Sequence, residues 1–356
     1  MSIQASTLFD EFRRSGLLQE MTGVDVVIEQ VSAVQQCGAG DLVFVDREAF
    51  VQPAIDGGAS AVITDSTLAA GFESAAGMAV MTTPNVKLAR ALVTQRHFER
   101  DLRPEDAPRI DPSAVIAESA DIAETARIGA NVFVGSGARI GADAVVLANV
   151  VIEERAVVGE RTVIHPGVVL GFDCELGNDV IIRAGTILGS EGFGFAQDEK
   201  RRNHRIPQMG RVIIEDRVVI GANCCLDRGT HGATRVGSGT VMDNLCHIAH
   251  NVEIGEDCIL TAMLCVAGST KIGKRVVTSG QTGIIDHLNI VDDVALVQRA
   301  GVANDIKAPG AYAGTPLMPL KDYMKSQASL RRLAAQRDTI KKLEKRLDAL
   351  ESRNDD

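Results

Sequence analysis

The chain has 356 residues, a length that predicts two or three folding units. Lys and Arg total 37 against 47 Asp and Glu, so the net charge of −10 excludes an overall positive field for holding nucleic acid. Aromatic residues make up 3% and Trp is absent, which predicts a core of Val, Ile, Leu and Ala. Seven cysteines without CxxC pairs indicate reduced thiols in a cytoplasmic protein, with no signal sequence or transmembrane segment expected.

Residues 1–109 lack any repeat and are predicted to form a small α/β domain. Two short apolar runs, 60–65 and 78–83, read as buried strands. The segment from Asn85 to Phe98 has apolar residues at helical spacing and predicts an amphipathic helix.

A period of six residues dominates the chain from Ile110 onward, where every sixth residue is aliphatic apart from Thr278. The aliphatic positions run from Ile110 to Leu188, from Ile214 to Leu226 and, after a shift of four residues, from Val236 to Val302. Small residues precede these positions by two, and Gly often follows them as a residue suited to turns. Three such hexads make one 18-residue coil of a triangular β-helix, whose aliphatic side chains pack against the coils above and below.

This repeat resembles that of the hexapeptide-repeat acyltransferases. The resemblance implies a left-handed parallel β-helix, a homotrimer and active sites between neighbouring subunits. We therefore expect a mainly β protein, with the β-helix over residues 110–308, a loop insertion at about 190–211 and a helical extension over 309–356. The extension carries Leu333, Ile340 and Leu347 at one heptad position and a run of Lys and Arg that either faces solvent or docks an acidic carrier protein.

The insertion and the histidines after it are the strongest candidates for chemistry. Phe193 and Phe195 place scarce aromatics in a polar loop, which favours a binding surface. His247 and His250 flank the inward-facing Ile248 and should therefore point outward. Gly268 follows His250 by 18 residues, one coil, so its backbone N–H should lie beside the imidazole.

A histidine base beside a backbone N–H supplies what acyl transfer from a thioester needs. The imidazole can take a proton from an attacking amine or hydroxyl, and the N–H can stabilise the tetrahedral oxyanion. Asp243 could orient the imidazole, Asn251 is adjacent to it, and His287 should lie on the same side about 10 Å along the axis.

Two other interpretations of these residues stay open. His247 and His250 could join His231 or His287 in a three-histidine zinc site, although HxxH is a weak signal and our expectation is that the chain binds no metal. The cysteines, such as Cys265, are expected to be small core fillers.

Several motifs in the same order resemble the UDP-3-O-acylglucosamine N-acyltransferases of lipid A biosynthesis over nearly the whole chain. They are GSEGFGFA (189–196), IPQMGRV (206–212), IGANCCLDRG (220–229), DNLCHIAHNVEIG (243–255), VAGSTKIG (266–273), GIIDHLNI (283–290) and PGAYAGTP (309–316). The resemblance implies that His250 is the general base and Gly268 the oxyanion donor, with Asp243, Asn251 and His287 as supporting polar residues.

The same resemblance implies how the substrates are bound. Phe44 and Phe50 fall where the family places two aromatics against uracil and sugar, the second being Tyr more often, and Arg47 stands where Asn is common. His247, a position that is usually Gln, is expected to contact the sugar, together with Phe193 and Phe195.

The predicted activity is transfer of an (R)-3-hydroxyacyl group from acyl carrier protein to the 2-amino group of UDP-3-O-acyl-glucosamine. No cofactor of its own is expected, because 4'-phosphopantetheine arrives on the carrier protein. The alternatives are an acetyl-CoA-dependent amino-sugar N-acetyltransferase, a zinc-dependent β-helix hydratase and a solenoid scaffold without catalysis.

Overall fold

The computed structural model describes residues 2–102, 108–297, 299–313 and 320–354, with side chains of the last segment described for 324–347. The chain divides into two compact units, Met1–Pro104 and Glu105–Asp356. The last residues of the 309–316 motif lie outside the described residues.

The first unit is an α/β domain. Its elements are β1 (Ile3–Gln4), α1 (Ala5–Arg13), β2 (Met21–Gly23), β3 (Val27–Ile28), β4 (Gln30–Val31), β5 (Asp41–Val45), α2 (Val51–Asp56), β6 (Ala61–Thr64), α3 (Ser66–Ala69), β7 (Ala79–Thr82) and α4 (Val86–His97), with short 3-10 helices at Val34–Gln36, Glu48–Phe50 and Ala70–Phe72. Five strands form a sheet in the order β2-β7-β6-β5-β4, in which the β2–β7 pair is antiparallel and the others are parallel. The predicted strands are β6 and β7, both buried, and the predicted helix is α4, capped by the Asn85 side chain on the Leu88 N–H.

The second unit is a parallel β-helix followed by a helix, as the hexad repeat predicts, and it has the left-handed form that the family resemblance implies. Its strands are β8 (Val115–Ile116), β9 (Asp121–Ile122), β10 (Arg127–Ile128), β11 (Phe133–Val134), β12 (Arg139–Ile140), β13 (Val145–Val146), β14 (Val151–Ile152), β15 (Val157–Val158), β16 (Val163–Ile164), β17 (Val169–Leu170), β18 (Glu175–Leu176), β19 (Ile181–Ile182), β20 (Ile187–Ser190), β21 (Phe195–Gln197), β22 (Asn203–Arg205), β23 (Arg211–Ile214), β24 (Val219–Ile220), β25 (Cys225–Asp227), β26 (Ala233–Val236), β27 (Val241–Met242), β28 (His247–Ile248), β29 (Glu253–Ile254), β30 (Ile259–Leu260), β31 (Cys265–Val266), β32 (Lys271–Ile272), β33 (Val277–Thr278), β34 (Gly283–Ile284), β35 (Asn289–Ile290), β36 (Val294–Val297), β37 (Gly301–Val302) and β38 (Gly310–Ala313).

Three parallel sheets form the sides of the triangle. Sheet 1 contains β8, β11, β14, β17, β20, β25, β28, β31, β34 and β37; sheet 2 contains β9, β12, β15, β18, β23, β26, β29, β32 and β35; sheet 3 contains β10, β13, β16, β19, β24, β27, β30, β33, β36 and β38. Val134 pairs with Ile152, an offset of 18 residues, and both side chains are fully buried. Thr278, the one break in the aliphatic pattern, is buried too, and its hydroxyl accepts a hydrogen bond from the Thr261 N–H.

Apart from Gly189 (φ 91°) at the start of the first insertion, the glycines after the aliphatic positions do not occupy left-handed turn positions, contrary to our expectation. The left-handed turn positions lie three residues before each aliphatic residue and are held mostly by Asn, Asp, Arg and Gly, as at Asn131 (φ 55°) and Asp143 (φ 58°). Gly159, which follows Val158, is needed because a Cβ there would lie 2.2 Å from the carbonyl oxygen of Gly177 on the next coil. Close stacking of the coils therefore selects these glycines.

Two insertions leave the β-helix at one corner, between sheets 1 and 2. The first separates Leu188 from Ile214 and carries the antiparallel hairpin of β21 and β22, so the predicted loop is partly a hairpin. The second adds four residues between Leu226 and Val236 on the next coil. Parallel pairing resumes after each insertion, and the 18-residue spacing returns.

The unit ends in the helix α5 (Leu320–Asn354). Leu333, Ile340 and Leu347 are all exposed on its described part. Both predicted roles of its Lys and Arg run, a face toward solvent or a docking surface for an acidic carrier, stay predictions. The side chain of Lys321, the first residue of that run, lies outside the described residues. Across the described segments, we find no helix with the length and hydrophobicity needed to cross a membrane.

Candidate active site

The candidate active site lies at the same corner of the β-helix as the two insertions. On the coils that follow them, the turn between sheets 1 and 2 is formed in succession by His250 with Asn251, by Gly268 with Ser269, and by Asp286 with His287. The coils stack in register, so the Ser269 N–H donates to the His250 carbonyl oxygen and the His287 N–H donates to that of Gly268. The insertions therefore border a column of stacked turns.

His250 is held by a hydrogen-bond network that determines which ring nitrogen carries the proton. Its Nδ1 lies 3.3 Å from Oδ1 of Asn251 and 3.5 Å from Oγ1 of Thr230. The Thr230 hydroxyl already donates to Oε1 of Gln208 at 2.7 Å, and the Asn251 amide is oriented by its Nδ2 donating to the carbonyl of His231. Both neighbours of Nδ1 are therefore acceptors, which assigns the proton to Nδ1 and leaves the lone pair on Nε2.

Gly268 lies directly against the imidazole, as its 18-residue offset predicts. A Cβ atom at this position would lie 2.7 Å from Cε1 and 2.8 Å from Nε2 of His250, so only glycine fits without displacing the ring. Among the hydrogen bonds of the described residues, Ala267 and Ser269 donate to neighbouring coils, and none uses the Gly268 N–H. The imidazole of His250 thus packs against a residue whose backbone N–H makes no hydrogen bond among the described residues.

The two groups open into a cavity of about 760 Å³. Its walls are mainly apolar, with Val266, Ile284 and Val302 among them, and Asp286 is one of its few charged residues. Phe193, which is 86% exposed, lines the cavity, and its ring centroid is 5.0 Å from that of Phe195. The insertion therefore does present aromatic surface at the site.

A polar group lies beside this cavity on sheet 1. Asp227 and His247 line the cavity, and Oδ2 of the aspartate is 3.7 Å from Nε2 of the histidine. Oδ1 of Asp227 accepts a hydrogen bond of 2.6 Å from the Ser190 hydroxyl. Burial raises the pKa of the Asp227 carboxyl, and burial also raises the pKa of the Cys225 thiol next to it.

Arg228 ties both ends of the first insertion to the β-helix. The side chain is buried, and it donates to the carbonyl oxygens of Gly189 at 2.8 Å, Gly210 at 3.0 Å and Phe172 at 3.3 Å. Its guanidinium carbon also lies 3.4 Å from the centroid of the Phe172 ring. The insertion leaves the β-helix at Gly189 and returns at Gly210, so Arg228 donates hydrogen bonds to both ends of the segment that carries the hairpin.

Two predicted supporting residues do not reach His250 within this chain. The Asp243 carboxylate accepts a hydrogen bond from the Asn244 N–H, and the residue lies on the stretch between sheets 3 and 1, a different corner. His287 occupies the left-handed turn position stacked over Ser269, and its side chain is largely exposed. Asp286, 36 residues after His250 and therefore two whole coils away, lines the cavity in its place.

The three-histidine zinc alternative is not formed. Within the described residues, the group with ligand atoms close enough to share a metal ion is Cys225, Asp227 and His247. The expectation for Cys265 is also wrong: it is exposed, because it precedes the inward residue Val266 and so points outward.

The remaining candidates belong to the N-terminal unit. Phe44 and Phe50 are both partly buried but pack against different cores of that domain, on either side of its sheet. Arg47 is exposed near Asp46. Their contact with substrate stays a prediction.

Sequence reasoning missed Gln208, Thr230, Asp286 and Arg228. A count of 36 residues from His250 would have found Asp286. No comparable signal marks Gln208 and Thr230, because both lie in the insertions, where the repeat is interrupted.

Comparisons with known proteins agree with this architecture. A family model for the hexapeptide repeat of succinyl-transferase matches residues 211–243, and one for the GMPPB C-terminal domain matches residues 110–192. The solved Arabidopsis UDP-N-acetylglucosamine acyltransferase aligns over 58% of this chain and 71% of its own, with a TM-score of 0.52 and 22% identity, which supports the fold.

Curated relatives are similar over almost the full length. The UDP-3-O-acylglucosamine N-acyltransferase of Methylococcus capsulatus is 52% identical over 352 residues, 99% of each chain. That of Pseudomonas syringae pv. syringae is 36% identical over 327 residues, 92% of this chain and 91% of the relative. The chain therefore belongs to the UDP-3-O-acylglucosamine N-acyltransferase family.

Proposed function

We propose that the protein transfers an acyl group from a thioester to the 2-amino group of a UDP-3-O-acyl-glucosamine. The observation that carries this proposal is the packing of the His250 imidazole against Gly268, whose backbone N–H makes no hydrogen bond among the described residues, at the wall of a largely apolar cavity. Family membership supports the choice of sugar and of amide formation.

The reaction follows from this geometry. The amine nitrogen attacks the thioester carbonyl carbon while Nε2 of His250 takes an amine proton, a contribution of about 10²–10⁴ in rate. The Gly268 N–H donates to the oxyanion, an interaction worth roughly 3–4 kcal/mol in comparable sites. The C–S bond then breaks, and the thiol departs with the proton that the imidazole had taken.

Asn251, Thr230 and Gln208 keep the imidazole in the productive tautomer. Asn251 and Thr230 present only acceptors to Nδ1, and Gln208 fixes the Thr230 hydroxyl, so the protonated ring can donate from both nitrogens while Nδ1 stays bonded. In this proposal they are positioning residues and do not touch the reacting atoms.

A homotrimer is part of the proposal, and the outward side chains of sheets 2 and 3 support it. The outward side chains of sheet 2 are largely charged: Arg139, Glu175, Arg235, Glu253 and Lys271. From β16 to β33, those of sheet 3 are aliphatic: Val163, Ile181, Val219, Val241, Ile259 and Val277. Val241, Ile259 and Val277 are each 38–49% exposed, an apolar stripe that self-association would bury.

Acyl carrier protein is the proposed donor. The run of Lys and Arg on α5, including Arg331, Arg332 and Arg337, supports docking of an acidic carrier. The phosphopantetheine thioester would then be delivered on the carrier, with no cofactor resident in the chain.

The test is a donor panel assayed by mass spectrometry. The purified protein is incubated with UDP-3-O-(3-hydroxyacyl)-glucosamine and acyl carrier protein thioesters, acyl-CoA thioesters or acetyl-CoA. An N-acylated UDP-sugar formed from acyl carrier protein is the expected result. Acetylation from acetyl-CoA, with no product from any long-chain donor, would instead establish an amino-sugar N-acetyltransferase.

A further inference from the structure

A cluster of three metal-ligating side chains lies at the edge of the cavity, and the acyl-transfer chemistry does not use it. Cys225 and His247 are paired residues of neighbouring parallel strands. The next residues along, Leu226 and Ile248, point into the core, so the thiol and the imidazole both point outward. Neighbouring strands are about 4.8 Å apart, which places these two side chains one above the other.

Asp227 completes the cluster from the same strand as Cys225. Residues two apart on a strand share a face, so the carboxylate joins the thiol on the outer side of sheet 1. Strand β20 is irregular between Leu188 and Ser190, which aligns Ser190 with Asp227 and allows the hydroxyl to hold Oδ1 at 2.6 Å. The carboxylate is thereby oriented by a hydrogen bond from outside the cluster.

The distances between the ligand atoms suit one small metal ion. Sγ of Cys225 lies 3.8 Å from Oδ1 of Asp227, Oδ2 of Asp227 lies 3.7 Å from Nε2 of His247, and all three groups lie within 4.8 Å of one another. A tetrahedral zinc ion with ordinary bond lengths sets its ligand atoms about 3.3–3.7 Å apart. Small side-chain rotations would therefore close the cluster around the ion.

The ligand types select the metal. A thiolate, an imidazole and a carboxylate together favour Zn²⁺, whereas Mg²⁺ and Ca²⁺ prefer oxygen ligands alone. Asp227 is 95% buried and His247 about half exposed, so the cluster is enclosed on the protein side and open toward the cavity. Three protein ligands with an open fourth position are the arrangement of an accessible zinc site.

We propose that Cys225, Asp227 and His247 bind one Zn²⁺ ion whose fourth position faces the cavity containing His250 and Gly268. Because Asp227 and His247 line that cavity, the bound ion occupies space beside the base and inhibits acyl transfer reversibly. The binding itself goes beyond the proposed function and does not depend on it.

The test measures metal binding to the full chain without any substrate. The purified protein is stripped with a chelator and titrated with Zn²⁺ in competition with a chromophoric chelator, and a parallel titration with Co²⁺ records the thiolate-to-cobalt absorption band. The expected result is one ion per chain with a thiolate band. An affinity no tighter than that of the His247→Ala variant would overturn the proposal.

Variants separate the ligands from their surroundings. Cys225→Ser and His247→Ala should weaken zinc binding by more than the roughly 10- to 100-fold typical of second-shell changes, and Ser190→Ala should fall within that range. Cys265→Ser is the matched control, because Cys265 is the exposed thiol paired with His247 on the next coil and is not in the cluster. Loss of the thiolate band in Cys265→Ser, with retention in Cys225→Ser, would contradict the site.

Two further measurements check that a change in zinc binding comes from the loss of a ligand. Thermal unfolding of each variant checks that its fold is intact, which matters least for the exposed His247. Once an acyl-transfer assay is established, the zinc concentration that half-inhibits the wild-type enzyme should rise in Cys225→Ser by the same factor as its dissociation constant. Inhibition unchanged in that variant would place the inhibitory zinc elsewhere.

Discussion

At the residue scale, the proposed acyl transfer depends on which ring nitrogen of His250 carries the proton. The tautomer follows from the acceptors around Nδ1, so the ring presents Nε2 to the substrate with no rearrangement. Asparagine or alanine at this position would remove the base and leave the Gly268 donor in place.

We expect His250→Ala to lower kcat/KM by about 10²–10⁴, since the general base is lost while the oxyanion donor remains. The measurement is initial rates with saturating donor, alongside light scattering to confirm an unchanged oligomer. Turnover equal to that of the wild type would show that another group takes the proton.

Glycines on the β-helix should respond to alanine according to the space around them. Gly159→Ala places a Cβ atom 2.2 Å from a backbone oxygen of the next coil and should destabilise by about 1–3 kcal/mol, as overpacking does. Gly283→Ala meets nothing within 4 Å and should be neutral or stabilise by up to about 1 kcal/mol. The midpoint of thermal unfolding is measured for both variants at equal protein concentration. Equal midpoints for Gly159→Ala and Gly283→Ala would refute the argument that close stacking of the coils selects Gly159.

At the element scale, the first insertion depends on a side chain from outside it. Arg228→Met keeps the length of the side chain but leaves the carbonyl oxygens of Gly189, Gly210 and Phe172 without their charged donor. Hydrogen bonds to charged groups contribute about 1.5–3 kcal/mol each, so we expect a loss of at least about 2 kcal/mol and weaker substrate binding.

The control for this change is Arg235→Met on the charged outer side of sheet 2, which should unfold like the wild type. Limited proteolysis reports on the hairpin directly, and Arg228→Met should be cut within residues 195–205 first. Resistance to proteolysis equal to that of Arg235→Met would show that the hairpin keeps its structure without Arg228.

The repeat predicted the coil, its 18-residue register and the contact between His250 and Gly268, because inside a solenoid distance in space follows from counting residues. The same counting explains the errors. Asp243, seven residues from His250, is one corner away, and His287 is one residue beyond the position that two full coils reach. Thr230, Gln208 and Arg228 lie in or beside the insertions, where counting fails and only tertiary contacts decide.

At the scale of the whole molecule, the outward side chains of sheets 2 and 3 differ in chemistry, and this difference predicts which of these two sheets an assembly would bury. Ile259→Glu would place a carboxylate in the centre of the aliphatic stripe on sheet 3, which should convert a trimer to monomers in light scattering. Asn289→Glu adds the same charge to sheet 2 and should leave the trimer intact. A trimer that survives Ile259→Glu would exclude sheet 3 as its interface.

The stacked register also restricts how such a chain can change length in evolution. Leu188 and Ile214 are 26 residues apart instead of 6, yet the later coils keep their phase because the extra residues leave as a hairpin at one corner. Elsewhere, a deletion whose length is not a multiple of six would turn core side chains outward in the coils that follow, and only a multiple of 18 would also keep each later strand on its own sheet. The protein can therefore grow or shrink by whole turns of its β-helix or extend at a corner, and the candidate active site lies at the corner that carries both insertions.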